Sequence, residues 1–252
     1  MSDHLAQLEA LRHDPRLAVP PEQRAKIVEN IVHAVMHPYF LRKTPQEQEA
    51  FRPHYLHHMQ MIADYCLREY VEHPEPRLTI EVIKGLHRVL YHNSASVPVK
   101  AMDGSTIAMV PGEFKTTPVF VRKPSAPDEW YGSTAPDQVA AEMAALLERL
   151  HDGQSALFQR YMQFMLDLNQ IHPFLDSNGK LILLLGDLFL LKHGKQPPYF
   201  ACFRWENEAD CYRLLKQYRL DPQREIAIFY PPLLRLYERL RVICVSRLDK
   251  KS

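Results

Sequence analysis

Glycine is scarce in this sequence, at only 8 of 252 residues. β-Sandwiches and propellers contain many tight turns, which favour glycine, so both classes are disfavoured. An excess of one charge is also lacking, because 31 Lys and Arg face 30 Asp and Glu. Nucleic-acid-binding domains usually carry a marked basic excess. With a formal net charge of +1, we expect no nucleic-acid partner.

Cysteines and long apolar runs are few as well. The four cysteines form no Cys-x-x-Cys pair, and we interpret them as reduced, buried or incidental: Cys66, Cys202, Cys211 and Cys244. The longest apolar run, 181–191, is interrupted by Gly186 and Asp187 and is too short to span a bilayer. The N-terminus lacks the basic and apolar pattern of a signal peptide. We therefore expect a cytoplasmic protein without a membrane span, acting in its own cell or delivered into another.

Helical periodicity dominates what the sequence does contain. Apolar residues, 46% of the chain, recur at three- and four-residue steps between capping and stop residues. We predict an all-α fold, mainly a helical bundle, with an N-terminal helical extension (1–75), a core domain (76–222) and C-terminal helices of the same globule (223–252). The predicted helices cover residues 25–35, 54–71, 80–90, 134–151, 157–168, 181–191, 207–219, 225–230 and 233–247.

One region departs from the helical pattern. Residues 105–110 and 117–122 favour β-strands and flank Pro111-Gly112, which predicts a small β-hairpin. Residues 124–133 contain prolines and are expected to form a loop. On these grounds alone, a surface hairpin that merely covers the core is as good an interpretation as a functional one.

Histidines cluster in the N-terminal region. His33 and His37 are four residues apart, and His54, His57 and His58 lie close together in the next predicted helix. Paired histidines at such spacing can bind zinc. No acid or cysteine accompanies them in the usual ligand pattern, so we interpret them as surface histidines.

The stretch 171–180, IHPFLDSNGK, places several reactive side chains between two predicted helices. Histidine titrates near neutral pH, as a base that takes a hydroxyl proton should, which makes His172 the candidate general base. Asp176 lies just before the second helix, where a carboxylate could hold Mg²⁺ against phosphate oxygens. Each residue alone would be typical of an ordinary turn. Their order, immediately before a buried helix, favours a site.

The start of the second helix predicts a phosphate-binding site, because its first N–H groups lack partners and the helix dipole is positive there. Gly179 lets the backbone approach an anion, and Ser177 is small enough not to block it. Asn178 can donate to a phosphoryl oxygen, and Lys180 adds a positive charge.

This stretch resembles the motif of the Fic/Doc (Fido) protein-modifying transferases, His-x-Phe-x-(Asp/Glu)-Gly-Asn-Gly-Arg-x-x-Arg. The residues that match it are His172, Phe174, Asp176, Asn178 and Gly179. Upstream, Pro111 to Lys115 and then 119–121 are similar to the segment before the family's flap and to the flap itself, with Lys115 where the family often has arginine. The resemblance covers about residues 78–220.

The resemblance implies a Fic fold and transfer of AMP from ATP, with Mg²⁺, to a Ser, Thr or Tyr hydroxyl of a target protein. It implies that His172 is the base, Asp176 the metal ligand and Phe174 the anchor of the loop. It implies a flap that docks an extended stretch of the target by strand addition, formed here by Thr117, Pro118, Val119 and Phe120. A base pocket would include Tyr212 and Leu215, although such residues are more often plain core.

Three motif positions depart from the family pattern: Ser177 replaces a glycine, Lys180 the first arginine and Leu183 the second. Lysine cannot make the bidentate phosphate contact of arginine. Leucine can contact neither a terminal phosphate nor the glutamate of an inhibitory helix, and the family's inhibitory motif, Ser/Thr-x-x-x-Glu-Gly/Asn, is not found. Three functions stay open: an AMP transferase, a Fic transferase using another donor (CDP-choline, UTP, or a phosphate donor as in Doc-like kinases), and a Fic-fold protein that binds a nucleotide or protein without turnover.

Overall fold

The computed structural model describes residues 3–41, 43–75, 77–101, 104–123, 126–201, 208–220 and 225–248. Within these ranges the chain forms nine α-helices and four short strands. The helices are α1 (Asp3–Leu11), α2 (Arg24–Leu41), α3 (Pro45–Cys66), α4 (Ile80–Leu90), α5 (Val139–His151), α6 (Leu157–Ile171), α7 (Asn178–Lys192), α8 (Glu208–Leu220) and α9 (Tyr230–Leu248). The strands are β1 (Val97–Lys100), β2 (Thr106–Met109), β3 (Phe120–Lys123) and β4 (Ala126–Gly132).

The prediction of a mainly helical fold is confirmed, and local sequence signals explain several helix starts. Thr79 caps α4, because its hydroxyl accepts a hydrogen bond from the Val82 N–H at 3.2 Å. Thr44 and Glu47 form a capping box at the start of α3. Residues 226–229 form a 3₁₀ turn where an α-helix was expected. Helix α9 then begins before the proline pair 231–232, since prolines are tolerated in a first helical turn.

The predicted hairpin pairing is wrong. Strand β2 pairs antiparallel with β1, with Val97 opposite Met109, and β3 pairs with β4, with Phe120 opposite Gly132. The expected loop 124–133 therefore contains strand β4, while residues 124–125 lie outside the described chain. Strand preference was visible in the sequence, but the pairing depends on the turn. The Gly112 N–H donates to a histidine of α4, so this turn connects the strands to a helix rather than to each other.

Helices α6 and α7 lie at the centre of the hydrophobic core. Every residue of α7 from Leu181 to Leu191 is buried. The core continues into the N-terminal and C-terminal helices, since Leu8 of α1 and Tyr237 of α9 are both completely buried in it. In addition, the Glu9 carboxylate accepts a hydrogen bond from the Phe158 N–H at 2.8 Å, so α1 caps the start of α6. The N-terminal helices thus share one core with the rest.

Both Cys66 and Cys211 are buried, and no disulfide joins them to another described residue. Cys202 lies outside the described residues, as does the side chain of Cys244. Among the described helices, none has both the length and the apolar character that a bilayer crossing requires.

The central helix carries one acidic residue inside the core. Asp187 is completely buried, together with Tyr161 and Tyr237. Burial raises the pKa of Asp187 to about 8, and no ion pair between described residues involves it. The carboxyl group is therefore mostly protonated at neutral pH, which is how the core accommodates it.

Asp187 gives the folding free energy a pH dependence. The folded chain keeps this proton up to about pH 8, whereas the unfolded chain loses it near about pH 4. Stability should therefore fall as pH rises between these values, by at most about 1.4 kcal/mol per pH unit. Asp187→Asn should remove that loss, so urea denaturation should show the variant gaining on wild type from about pH 5 to about pH 8.

The matched control is Asp210→Asn, which removes a carboxylate from an exposed pair with Arg213 and should follow the wild-type pH profile. An unchanged slope in Asp187→Asn would contradict the assignment of a buried protonated acid.

Candidate active site

The motif loop connects the two central helices, and both of its ends adopt left-handed backbone conformations. His172 ends α6 with φ 50° and ψ 63°, and its N–H donates to the Leu168 carbonyl at 3.0 Å. Ser177 precedes α7 with φ 59° and ψ 11°. Side chains other than glycine rarely adopt this region. The conformation explains why glycine suits position 177 in the family motif, and serine has to be held there by contacts.

Asn178 closes the loop from within. Its amide nitrogen donates to the Phe174 carbonyl at 2.8 Å, and its amide oxygen accepts from the Phe174 N–H at 3.0 Å. The side chain is 2% exposed. The structure therefore turns this carboxamide into the loop, where it supplies buried backbone groups with the partners that they need.

Phe174 is completely buried. Its ring stacks on the imidazole of His87 with centroids 4.0 Å apart and planes at 8°, and it lies 5.6 Å from the ring of Phe114. The loop is therefore attached to α4 and to the segment before β3 by aromatic contacts.

His87 is a site residue that sequence reasoning missed. Its Nδ1 accepts from the Gly112 N–H at 2.8 Å, so Nε2 carries the proton and donates to the Asp176 carbonyl at 3.2 Å. Burial lowers the pKa of His87 to about 4, which keeps the ring neutral and this tautomer fixed. One side chain thus joins α4, the 111–112 turn and the motif loop.

Tyr91, the residue that follows the end of α4, was also missed. Its hydroxyl donates to Asp176 Oδ2 at 2.6 Å and lies 2.8 Å from Ser177 Oγ. The other carboxylate oxygen, Oδ1, accepts from the Ser177 N–H at 2.6 Å. The four-residue spacing of His87 and Tyr91 at the end of α4 was the available signal, because it places both side chains on one side. No local pattern indicates which residues they contact.

Asp176 has the properties of a magnesium ligand. The residue is exposed, and Tyr91 and Ser177 fix its carboxylate. Each carboxylate oxygen has lone pairs beyond the one used here. Mg²⁺ bound with phosphates needs only one or two protein carboxylates. Asp176 therefore fits a magnesium ion that is also bound by phosphates. The described chain contains no group of three or more His, Cys, Asp or Glu that could hold a metal by itself.

The first turn of α7 forms the positive end of the site. Hydrogen bonding along the helix begins with the Leu181 N–H, which donates to the Ser177 carbonyl at 3.1 Å. The N–H groups of residues 178–180 precede it and point away from the helix body. Lys180 Nζ lies 4.5 Å from the ring centroid of Tyr39 on α2. Burial lowers the pKa of Lys180, and the nearby Asp176 partly opposes this effect.

The expected surface histidines include one that is not at the surface. His58 is 7% exposed, its Nε2 is 2.9 Å from the Val89 carbonyl, and its ring stacks on His92 at 3.5 Å. Burial lowers the pKa of His58. His54 and His57 are exposed, as expected.

Lys115 joins the segment before β3 to the motif loop. Its ammonium group donates to the Ile171 carbonyl at 3.0 Å and to Ser133 Oγ at 2.6 Å, and its N–H donates to the Pro173 carbonyl at 2.9 Å. Ser133 Oγ donates in turn to the Val119 carbonyl at 2.6 Å. These contacts link Val119, in the predicted docking segment (residues 117–120), to the backbone on either side of His172. Phe120 of this segment is 41% exposed.

Leu183, which departs from the motif, and Leu215, predicted for the base pocket, both pack with the hydrophobic core. Leu183 is 2% exposed and belongs to the core. Leu215 of α8 is half-buried against the core, and the side chain of Tyr212 lies outside the described residues.

Asn178→Ala should loosen the loop, because it leaves the buried N–H and carbonyl of Phe174 without partners. The expected loss in the free energy of unfolding is about 2 to 3 kcal/mol, measured by urea denaturation. The control is Asn169→Ala, a half-buried amide of α6 that makes no hydrogen bond to another described residue, and it should change stability by less than about 1 kcal/mol. Equal effects of the two changes would contradict this role of Asn178.

Comparison with known proteins agrees with this geometry. The model of the Fic/DOC family matches residues 77–190. A Fic family protein from Desulfovibrio desulfuricans is 18% identical, with a TM-score of 0.68 over 100% of this chain and 76% of that chain. A Fic domain-containing signalling protein from Bacteroides thetaiotaomicron is 16% identical, with a TM-score of 0.66 over 99% and 98%. Fic-1 from C. elegans is 16% identical, with a TM-score of 0.56 over 92% and 73%. No curated protein matches the sequence significantly.

At these identities the solved structures establish the fold, and the predicted Fic fold is confirmed. The matched residues run from just before α4 almost to the end of α7 and so contain the whole motif loop. The similarity to the Fic/DOC family is therefore shown for residues 77–190, which make up somewhat less than half of the chain.

Proposed function

We propose that this protein is a Fic-type transferase that moves AMP from ATP to a Ser, Thr or Tyr hydroxyl of a target protein. The main support is the motif loop, which presents His172 at the end of α6 and Asp176, Gly179 and Lys180 at the start of α7. Buried side chains hold the loop backbone between these groups. A loop braced in this way keeps reacting groups in a fixed geometry.

The proposed reaction is a displacement at the α-phosphorus of ATP. The hydroxyl oxygen of the target forms a bond to phosphorus while His172 takes its proton, and the bond to pyrophosphate breaks with its electron pair leaving on pyrophosphate. Backbone N–H groups of residues 178–180 and the Lys180 ammonium group bind phosphate oxygens. Asp176 holds Mg²⁺, which offsets negative charge on the phosphates when it is bound.

The predicted phosphate ligands Ser177 and Asn178 take part in this proposal mainly through the backbone. The Asn178 side chain is bonded to Phe174 and the Ser177 hydroxyl contacts Tyr91. The proposed contribution of Asn178 is therefore its N–H at the start of α7, while Ser177 keeps the approach to the helix open because its side chain is small.

The proposed target is an extended protein segment that adds to the edge formed by Thr117, Pro118, Val119 and Phe120. Phe120 is exposed, and Val119 is linked through Ser133 to the carbonyls beside His172. Main-chain pairing at this edge would place a hydroxyl side chain over the base while tolerating many target sequences.

The burial of Leu183 supports a second candidate, transfer from a donor with a shorter phosphate chain such as CDP-choline. This position carries the second arginine of the family motif, and here an apolar side chain packs in the core. Position 183 therefore has no positive charge with which to bind a third phosphate. The base and the metal ligand are retained in this alternative, so only the transferred group changes.

We further propose that residues 76–222 form the catalytic domain, that 1–75 are a helical extension and that 223–252 complete the same globule. The family match at 77–190 lies within the proposed catalytic part. The buried thiol of Cys66, which forms no disulfide, fits a reducing compartment such as the cytoplasm.

A donor screen by intact-protein mass spectrometry tests the proposed function. With Mg²⁺, a cell lysate and ATP, the protein or a target should gain an AMP mass, and His172→Ala should abolish the gain because the base is lost. His54→Ala, which removes an exposed histidine of α3, should leave it unchanged.

UTP, GTP and CDP-choline form the other arms of the screen. A His172-dependent phosphocholine adduct would replace AMP transfer by the second candidate. A UMP, GMP or phosphate adduct would instead indicate a Fic-type transferase with a donor other than ATP or CDP-choline, or a kinase. No His172-dependent adduct with any donor would overturn the transferase proposal in favour of a Fic-fold binding protein.

Donor affinity should depend little on the third phosphate, because Leu183 cannot contact it. We expect the Kd values for Mg·ADP and Mg·ATP to agree within about threefold, or about 0.7 kcal/mol, in calorimetric titrations of the His172→Ala variant, which prevents turnover. Mg·AMP should bind much more weakly. A preference for Mg·ATP over Mg·ADP greater than about tenfold would mean that another residue binds the third phosphate.

A further inference from the structure

The backbone on both sides of His172 is held by a single residue. Lys115 donates from Nζ to the carbonyl of Ile171 at 3.0 Å and from its N–H to the carbonyl of Pro173 at 2.9 Å. These are the two residues adjacent to His172, which itself has the left-handed φ of 50°. The Ile171 carbonyl lies in the peptide plane that precedes His172, and the Pro173 carbonyl lies in the next plane but one. The two bonds therefore hold the backbone before and after His172, which restricts where its side chain points.

The placement of a buried ammonium group here has a physical reason. Lys115 is 2% exposed, and burial lowers the pKa of Lys115 to about 8. Desolvating a lysine is costly unless its donors are satisfied, and the Ser133 hydroxyl supplies a second acceptor at 2.6 Å. The Ile171 carbonyl belongs to the last turn of α6, where the helix dipole is negative and a cation is favourable.

Ser133 extends this contact to the docking segment. Its hydroxyl donates to the Val119 carbonyl at 2.6 Å, and its N–H donates to the same oxygen at 3.3 Å. A continuous set of hydrogen bonds thus runs from Val119 through Ser133 and Lys115 to the two carbonyls beside His172. A target strand that orders residues 117–120 would also order Ser133.

We propose that Lys115 is a positioning residue for His172, and that Ser133 couples the docking segment to it, so that target docking improves the alignment of the base. This inference rests on the proposed role of His172 as the base of a transfer reaction. Lys115 touches neither phosphate nor metal ligand in this scheme. It acts on the proton-transfer step through the loop backbone.

The test compares Lys115→Met, Lys115→Arg and the control Lys84→Met. Methionine fills similar space without a donor, and arginine retains donors at the end of the side chain. Lys84 contacts Glu113 and the Phe114 ring, the two residues before Lys115, but makes no hydrogen bond to the loop backbone. We expect Lys115→Met to lower kcat of His172-dependent transfer by about tenfold to a hundredfold, since small displacements of a reacting group have effects of that size.

The Kd of Mg·ADP should stay within about twofold in all three variants. Lys115→Arg should recover most of the lost kcat, and Lys84→Met should behave as wild type. A Lys115→Met variant with unchanged kcat, or one that loses nucleotide affinity in proportion to kcat, would overturn the proposal.

Hydrogen exchange gives a readout that does not depend on activity. In Lys115→Met the His172 and Phe174 amides should exchange at least about tenfold faster, while amides of α7 keep their protection. Ser133→Ala, a smaller change, should have the same effect to a lesser degree and serves if Lys115→Met does not fold. Unchanged exchange at these two amides in both variants would contradict positioning by Lys115. Absence of transfer in the wild type would instead contradict the proposed function.

Discussion

The structure depends on one constraint: a short loop must reverse the chain between two buried helices without leaving its backbone polar groups unpaired. The loop begins and ends with non-glycine residues in left-handed conformations, His172 and Ser177. Such a backbone persists only where surrounding contacts hold it. Asn178 supplies those contacts from inside the loop, and His87 and Lys115 supply them from α4 and from the segment before β3. Within this loop, His172 is half-buried and Asp176 is exposed to solvent.

The loop also joins helix ends of opposite polarity. The last turn of α6 is negative and receives the Lys115 ammonium group, whereas the first turn of α7 is positive and presents its N–H groups beside Lys180. A base and an anion site can therefore lie within a few residues of each other without sharing the same charges. Tyr91 adds to this separation, because it fixes the Asp176 carboxylate just before the first turn of α7.

Much of this arrangement could be predicted from local sequence. Helical periodicity identified the helices that flank the loop, and the order of residues in 171–180 predicted a site in it. Contacts between distant segments could not be read in this way. The cap that Glu9 provides for α6 and the roles of His87, Tyr91 and Lys115 all join residues far apart in the chain. Asn178 looked like a phosphate donor because a sequence does not say which way a carboxamide points.

Where the nucleotide binds is the most direct test of this account. A cleft lies between the start of α4 and the end of α5, away from the motif loop, and is lined by Arg77, Thr79, Glu148, Arg149 and His151. Backbone NMR of the His172→Ala variant, titrated with Mg·ADP, distinguishes the two places. We expect the largest shifts on the amides of Asn178, Gly179 and Lys180. Shifts centred on residues 77–81 and 148–152, with the α7 amides unchanged, would contradict it.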